Sequence, residues 1–326
     1  MMPAPFGWHT FWTDWHLSPV WDAVILLALV AYGAGVALAR RRGERSVHPV
    51  RLASFGAAML VLAVTVNSAI ESYSMMLFWD HMIEHLLLIM VVPALLVAGH
   101  PLTVLVQATT GRTRERVLAV LRSAPVSVVT HPVVALGIYG VVIVGTHLTS
   151  FMNAMTMHMW LMPVEQVIYL VSGSLLLVTL LAEEPLRWRP PYLMRFAVLM
   201  LAMIPDTLVG IVLMQSSTAM FPGMTTSASW APTPLRDEVI AGGIMWAGGD
   251  GLMMLFAVII MLVWISSPNR DATAGPWLER IRRQRFTDIA GGSEALGASS
   301  EDSDVDEDEA YLDAYNRMLK RLNAHQ

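Results

Sequence analysis

Two histidines with helical spacing are the strongest chemical signal in this sequence. His81 and His85 are four positions apart inside an apolar segment, so a helix would place both imidazoles on one face. Glu84 stands beside them. Imidazole binds copper, zinc, iron and nickel, and an ionisable residue inside an apolar span is costly and usually functional. The pair therefore predicts a metal or haem site within a membrane helix.

A second group of candidate ligands follows in later segments. His147 lies three residues before the end of the fourth apolar stretch, at a similar expected depth, and the outer loop that follows holds Met155, Met157, His158 and Met159. Thioether sulfur selects Cu(I), and the chain has 23 methionines but no cysteine. The missing cysteine excludes disulfide scaffolds, cysteine-ligated zinc, iron–sulfur clusters and thiol catalysis. Histidine and methionine together favour copper, expected as Cu(I).

Three alternatives remain open for the same residues. The string His81-x-x-Glu84-His85 matches an inverted zinc-protease signature, in which Glu84 would be the general base. Histidines of the third and fourth spans could instead bind haem in a membrane redox protein, or line a copper permease. A retinal protein is excluded, because it needs a lysine inside a span and the only lysine is Lys320.

Four other polar residues fall inside apolar stretches, namely Glu165, Gln166, Asp206 and Asp250. They could form a proton or ion path, orient the ligating histidines, or join helices by hydrogen bonds. The sequence leaves these roles open.

The elements that carry these residues are long and apolar. Of 326 residues, 55% are apolar and 14% charged, against about 45–50% and about 25% in soluble proteins. A membrane helix needs about 20 apolar residues. Seven stretches qualify: 20–39, 51–71, 77–98, 131–150, 162–182, 193–214 and 239–265. The sequence therefore excludes a soluble enzyme and predicts an all-α bundle of seven transmembrane helices.

The basic residues orient the predicted bundle. Twenty of the 21 fall on one side of the predicted spans, and Arg236 is the exception. Cytoplasmic loops collect Lys and Arg, so we expect the N-terminus outside and the C-terminus in the cytoplasm. The first 20 residues carry no positive charge, which argues against a secretory signal. His81 and His85 are thus expected near the external face.

The last part of the chain has a different composition. We expect residues 1–265 to form the transmembrane domain and 266–326 a cytoplasmic tail that is largely disordered. The tail contains an acidic run at 301–309, which cannot bury itself, and a short helical pattern at 310–322.

Around its histidine pair the chain resembles the CtaG family of caa3-type cytochrome c oxidase assembly factors. The resemblance covers roughly residues 20–265. It rests on Phe78-Trp79-Asp80-His81-Met82-Ile83-Glu84-His85-Leu86-Leu87-Leu88, on Pro93, Leu95-Leu96, Gly99 and Pro101-Leu102, on His147-Leu148-Thr149, and on Asp237-Glu238 with Ala241-Gly242-Gly243-Ile244-Met245-Trp246.

The resemblance implies a bacterial plasma-membrane protein that helps deliver copper to the oxidase's CuB centre and catalyses no reaction of its own. His81 and His85 would be the core metal-interacting pair, with His147 and His158 as further candidates. The implied partners are cytochrome c oxidase subunit I, other copper chaperones and the lipid bilayer, with no nucleic acid. Where the family often has a Glu-His pair, this chain has Glu165-Gln166. The loop of Met155, Met157, His158 and Met159 is the expected substitute.

Overall fold

The structure is a computed structural model that describes residues 4–43, 48–181 and 183–266. Within these ranges every regular element is helical. By internal contacts the chain divides into a unit Met1–Met261 and a unit Leu262–Gln326. The second unit is described only as far as Ser266, so the predicted tail with its acidic run lies outside the described residues.

Fourteen α-helices follow one another in the described chain. They are α1 (Trp8–Thr13), α2 (Pro19–Arg41), α3 (Pro49–Asn67), α4 (Ala69–Ser74), α5 (Phe78–Leu86), α6 (Val92–Ala98), α7 (Pro101–Ala108), α8 (Gly111–Leu121), α9 (Ala124–Val129), α10 (Pro132–His147), α11 (Phe151–Met157), α12 (Leu161–Leu181), α13 (Tyr192–Gln215) and α14 (Pro234–Ser266). A π-helical turn, Leu87–Val91, joins α5 to α6, and a 3-10 turn, Pro222–Met224, precedes α14.

Six stretches of the described chain are long and apolar enough to cross a membrane: α2, α3, the run Phe78–Ala108, α12, α13 and α14. The pair α10 and α11 makes a seventh if it is one span, bent by 59°. The prediction of an all-α, multi-pass membrane protein is therefore confirmed. The third span is longer than predicted, because apolar residues continue past Gly99 into α7.

Hydrogen bonds join separate segments of the chain at both ends of the bundle. At the histidine end, where α5, α12 and α14 begin and α10 ends, Ser18 N donates to Asn67 Oδ1 over 2.8 Å. At the opposite, arginine end, Thr103 Oγ1 donates to Glu184 Oε2 over 2.6 Å. Burial raises the pKa of Glu184, and the hydrogen bonds from Thr103 oppose that rise. The segments between the spans at the arginine end carry Arg112, Arg114 and Arg116 on α8, and Arg122, Arg187 and Arg189 outside helices.

The start of the histidine-bearing helix is held by another helix. The carboxylate of Asp237 on α14 accepts hydrogen bonds from Phe78 N over 2.8 Å and Trp79 N over 3.1 Å. Thr225 Oγ1 donates to the same side chain over 2.7 Å. The first amides of a helix lack intrahelical partners, so Asp237 caps α5 from outside its own chain segment.

We expect Asp237→Asn to lower the free energy of unfolding by about 1–2 kcal/mol, because a charged acceptor with three donors becomes a neutral one. Denaturant unfolding in detergent measures the loss. The control is Arg236→Ala at the neighbouring exposed position, which should change stability little. Equal stability of Asp237→Asn and the parent would show that the cap is dispensable.

The π-helical turn packs directly against α12. A Cβ atom built at Gly173 would lie 1.9 Å from the carbonyl oxygen of Ile89. Only glycine permits this approach of helix to backbone. The contact fixes α12 against the helix that carries His81 and His85, two turns from Glu165.

Candidate metal centre

Three buried side chains converge at the histidine end of the bundle. Potential ligand atoms of His81, His85 and Glu165 all lie within 4.8 Å of one another. His81 Nε2 and His85 Nε2 are each 3.4 Å from the same oxygen, Glu165 Oε2. Two ligands about 2.1 Å from one tetrahedral metal are themselves about 3.4 Å apart. The spacing therefore suits a shared ion.

The polar atoms of this group lack other partners. Neither ring nitrogen of His81 or His85 has a hydrogen-bond partner in the described part of the chain, and neither does Glu165 Oε1. The three residues are only 1–3% exposed. A buried polar group without a partner costs about 1–3 kcal/mol. A cation bound to these lone pairs would remove that cost, so the donor set fits a metal ion.

His147 places a third imidazole beside the group. Its ring centre is 5.1 Å from that of His85, with the planes nearly perpendicular at 87°. His147 Nδ1 lies 2.9 Å from the carbonyl oxygen of Ile143. A proton on Nδ1 would be donated to that oxygen, leaving the Nε2 lone pair, which has no partner in the described chain, free to bind a metal.

Neighbouring side chains hold this geometry in place. The ring of His85 stacks on Tyr169 with centres 4.0 Å apart. Gln166 Nε2 donates to Glu84 Oε1 over 2.6 Å, and Trp21 Nε1 donates to Gln166 Oε1 over 2.7 Å. Gln166 thus links α2, α12 and α5 as a positioning residue. Glu84 is fully buried, so the zinc-protease alternative requires a peptide bond to reach the bundle interior.

Several buried carboxyl groups surround the histidines. The buried acids at this end are Asp80, Glu84, Glu165, Asp237 and Glu238. Ion pairs between described residues here join carboxylates to histidines, which carry charge only when protonated.

At the surface, His16 Nε2 lies 2.8 Å from Glu71 Oε2. Burial raises the pKa of Glu71, and His16 partly opposes that rise.

The ligands predicted from the sequence separate into two groups. His81, His85 and His147 meet inside the bundle. Met155 is buried in the hydrophobic core, whereas Met157 and Met159 are 78% and 63% exposed and His158 is also exposed. Exposed Met157, His158 and Met159 thus lie apart from the buried histidines, and the metal role of these three residues and of Met155 stays a prediction.

Glu165 is the residue whose place in the centre the sequence left open. The other intramembrane acids make hydrogen bonds between helices: Tyr139 OH donates to Asp206 Oδ2 over 2.6 Å, and Thr207 Oγ1 donates to Asp250 Oδ2 over 2.8 Å. Of the three roles considered for these acids, interhelical bonding is the one these contacts favour.

We expect Glu165→Gln to weaken metal binding by at least about 10–100-fold, the cost of losing even an outer-shell partner, since it removes the only anionic member of the group while keeping its shape. Competition with a chelator of known affinity measures the change. Glu115→Gln, at an exposed position on α8, is the matched control and should bind as the parent does. Unchanged affinity in Glu165→Gln would remove this carboxylate from the ligand set.

The fold and the site together define a multi-pass helical membrane protein with a buried histidine–carboxylate cluster near one end of its bundle. The family model described as cytochrome c oxidase caa3 assembly factor (Caa3_CtaG) matches residues 30–267. The chain belongs to this family, as the resemblance indicated. Membership favours a non-enzymatic role.

Similar curated proteins are uncharacterised mycobacterial ones. A protein of Mycobacterium leprae is 25% identical over 336 residues, covering 99% of this chain and 46% of its own length. Proteins of Mycobacterium bovis and Mycobacterium tuberculosis are each 27% identical over 321 residues, covering 95% of this chain and 45% of theirs. The chain thus spans less than half the length of these relatives. No solved structure matches it.

Proposed function

We propose that this protein binds Cu(I) at His81, His85 and Glu165 and passes it to the CuB centre in subunit I of cytochrome c oxidase. The family supplies the role in oxidase assembly. One observation carries the choice of site: the buried Nε2 atoms of His81 and His85, without hydrogen-bond partners in the described chain, each lie 3.4 Å from the same oxygen of Glu165.

The ligand types suit a metal that must be released again. The group contains imidazole and carboxylate and no thiolate, and thiolate is the softer ligand for Cu(I). His147 lies close enough to His85 to act as a further ligand. At such a site, a partner protein with more imidazole ligands can replace the ligands of the copper ion one at a time. Transfer by ligand exchange needs no change in oxidation state.

The exposed residues Met157, His158 and Met159 have a separate part in this proposal. Thioether and imidazole at the surface can take Cu(I) from a donor such as another copper chaperone. If the N-terminus is outside, as the basic residues predict, this loop and the buried centre both lie toward the external face. The buried centre then acts as the holding site.

Metal analysis of the purified protein under reducing conditions tests the proposal. We expect about one copper per chain after loading, and a strain lacking the protein should assemble an oxidase deficient in CuB. A Soret absorption band would favour the haem alternative, copper flux into liposomes the permease, and bound zinc with proteolysis lost in Glu84→Gln the protease. No copper binding, together with full CuB occupancy in the deletion strain, would refute the proposal.

A further inference from the structure

Helices α2 and α12 have a groove between them, here called the α2–α12 groove. Each of the two helices packs on other elements, α2 on α3 and α7, and α12 on α6 and α10. Side chains of α2 and α12, together with others from α3, α6 and α7, line a cavity of about 510 Å³. This volume falls within the range of about 300–1,000 Å³ that is typical of ligand pockets.

The lining of the groove is apolar almost throughout. Val24 and Ala28 contribute from α2, and Leu170, Val171 and Val178 from α12. Among the described residues that form the groove, those with polar side chains are Thr130, Ser174 and Glu184. A hydrocarbon chain needs no hydrogen bonds and gains free energy when it leaves water for apolar surroundings. The lining therefore suits an acyl chain.

The one acid of the lining is compensated by neighbouring groups. Glu184 is 2% exposed, and its Oε2 accepts hydrogen bonds from Thr103 N over 2.8 Å and from Thr103 Oγ1 over 2.6 Å. Arg51 is among the charges that act on Glu184 and opposes the rise of its pKa on burial. This carboxylate is therefore part of the helix contacts at the arginine end, and the groove offers its occupant apolar surface.

A hydrogen bond closes the groove on the side of the histidines. Trp21 Nε1 donates to Gln166 Oε1 over 2.7 Å and so joins α2 to α12. Trp21 and Gln166 stand about one helical turn before Val24 and Leu170, which are the first lining residues on the two helices. Because the groove is closed there, a head group attached to a chain in the groove would lie at the arginine end.

Exposed arginines border the groove at the arginine end. Leu121 and Leu186 belong to the lining, and Arg122 and Arg187 follow them directly in the chain. Both arginines are exposed, and the ion pairs between described residues involve neither of them. Each guanidinium is therefore available to an anion.

Trp188 joins the segments that carry these two arginines. Its Nε1 donates to the carbonyl oxygen of Ser127 on α9, and Ser127 Oγ donates to the carbonyl oxygen of Arg122 over 3.3 Å. Arg187 Cζ lies 5.7 Å from the centre of the Trp188 ring. Two arginines that are far apart in the sequence thus lie at the same end of the groove.

We infer that the α2–α12 groove binds one anionic phospholipid, with an acyl chain between the helices and the phosphate at Arg122 and Arg187. Basic pockets between membrane helices bind acidic lipid head groups in this way, and guanidinium and phosphate form paired hydrogen bonds. Charge complementarity selects an anionic lipid over a zwitterionic one with the same chains. The inference goes beyond the proposed function and does not depend on a bound metal.

Native mass spectrometry of the full-length protein, with dioleoylphosphatidylglycerol added, measures this binding. Dioleoylphosphatidylcholine has the same chains and no net charge, so it is the comparison lipid. Each basic residue near a membrane surface contributes about fivefold to the affinity for an anionic lipid. With two arginines, we expect phosphatidylglycerol to bind with about 30-fold higher affinity than phosphatidylcholine.

Removing the two arginines tests the head-group site. Arg122→Gln/Arg187→Gln should lose most of the preference for phosphatidylglycerol. The matched control is Arg40→Gln/Arg41→Gln, which changes two exposed arginines at the end of α2. Because these do not border the groove, the control should keep the preference within about twofold of the parent. An equal loss in both variants would show general attraction to a basic surface and would overturn the inference.

Filling the groove tests the place of the acyl chain. In Ala28→Phe, a ring takes the space of two or more methylene groups, each of which contributes about fourfold, so the affinity for both lipids should fall more than about tenfold. Leu26→Phe, on the exposed side of the same helix, is the control and should bind as the parent does. Parental binding by Ala28→Phe, or equal affinity of the parent protein for the two lipids, would overturn the inference.

Discussion

Replacing both His81 and His85 with alanine should abolish copper binding by the purified protein. In the ion pairs between described residues, the nitrogens that lie 3.4 Å from Glu165 Oε2 are the Nε2 atoms of these two imidazoles. Loss of an outer-shell partner alone costs about 10–100-fold in metal affinity, so removing two direct ligands should cost more than about 1,000-fold. Copper per chain after desalting measures the loss. In cells, the same variant should yield an oxidase with little CuB and little activity.

The matched control for this variant removes two histidines elsewhere. His9→Ala/His48→Ala changes two exposed positions and should leave both copper content and oxidase activity near the parental level. Circular dichroism of each variant establishes that the helices are intact. A His81→Ala/His85→Ala protein that keeps its copper and supports a fully active oxidase would rule out the buried centre.

The second large effect is expected at Gly173, which has no side chain that could bind a metal. In Gly173→Ala, the new Cβ would meet the carbonyl oxygen of Ile89 at 1.9 Å, and backbone atoms cannot rotate away. Either α12 or the π-helical turn must shift. We expect a loss of about 3 kcal/mol or more in the free energy of unfolding, at the upper end for an overpacked core. Denaturant unfolding in detergent measures it, and copper binding should fall with it.

Gly243→Ala is a control of the same chemistry at a different kind of position. Gly243 also lies inside a helix, but a Cβ there would meet nothing within 4 Å. Alanine is the better helix former by about 0.5–1 kcal/mol, so this variant should be as stable as the parent or slightly more so. If the two alanine variants unfold alike, the close approach of α12 to the π-helical turn is not needed for stability.

The fold could be predicted from the sequence because every membrane-spanning helix must be apolar along most of its length. Apolar runs of about 20 residues predict spans whatever their internal order. Helix α11, which follows α10 at a bend of 59°, was not predicted, because the sequence analysis placed Met155 and Met157 in a loop. The π-helical turn was equally hidden, because the apolar residues Leu87–Val91 suit an α-helix just as well.

The sequence could predict the metal centre only for those of its residues that lie on the same helix. His81 and His85 are recognisable from their spacing alone. Glu165 comes from α12, and its distance to the pair depends on how closely two helices approach, which Gly173 determines. The sequence placed Glu165 inside an apolar stretch but could not give its direction around the helix axis. The sequence likewise could not show that Met155 and Met157 lie on one helix, α11, with Met155 buried and Met157 exposed.

The π-helical turn also has a consequence for how this span can change over evolutionary time. A π-turn contains one residue more than the α-helical turn it replaces, and each residue advances an α-helix by about 100°. The extra residue therefore offsets the face of the segment after the turn by about 100° from the face that an uninterrupted α-helix would present. Insertions or deletions within Leu87–Val91 would rotate the histidine face relative to α6, whereas substitutions that preserve the length would leave both faces aligned. Length at these five positions is thus expected to be inherited more strictly than residue identity.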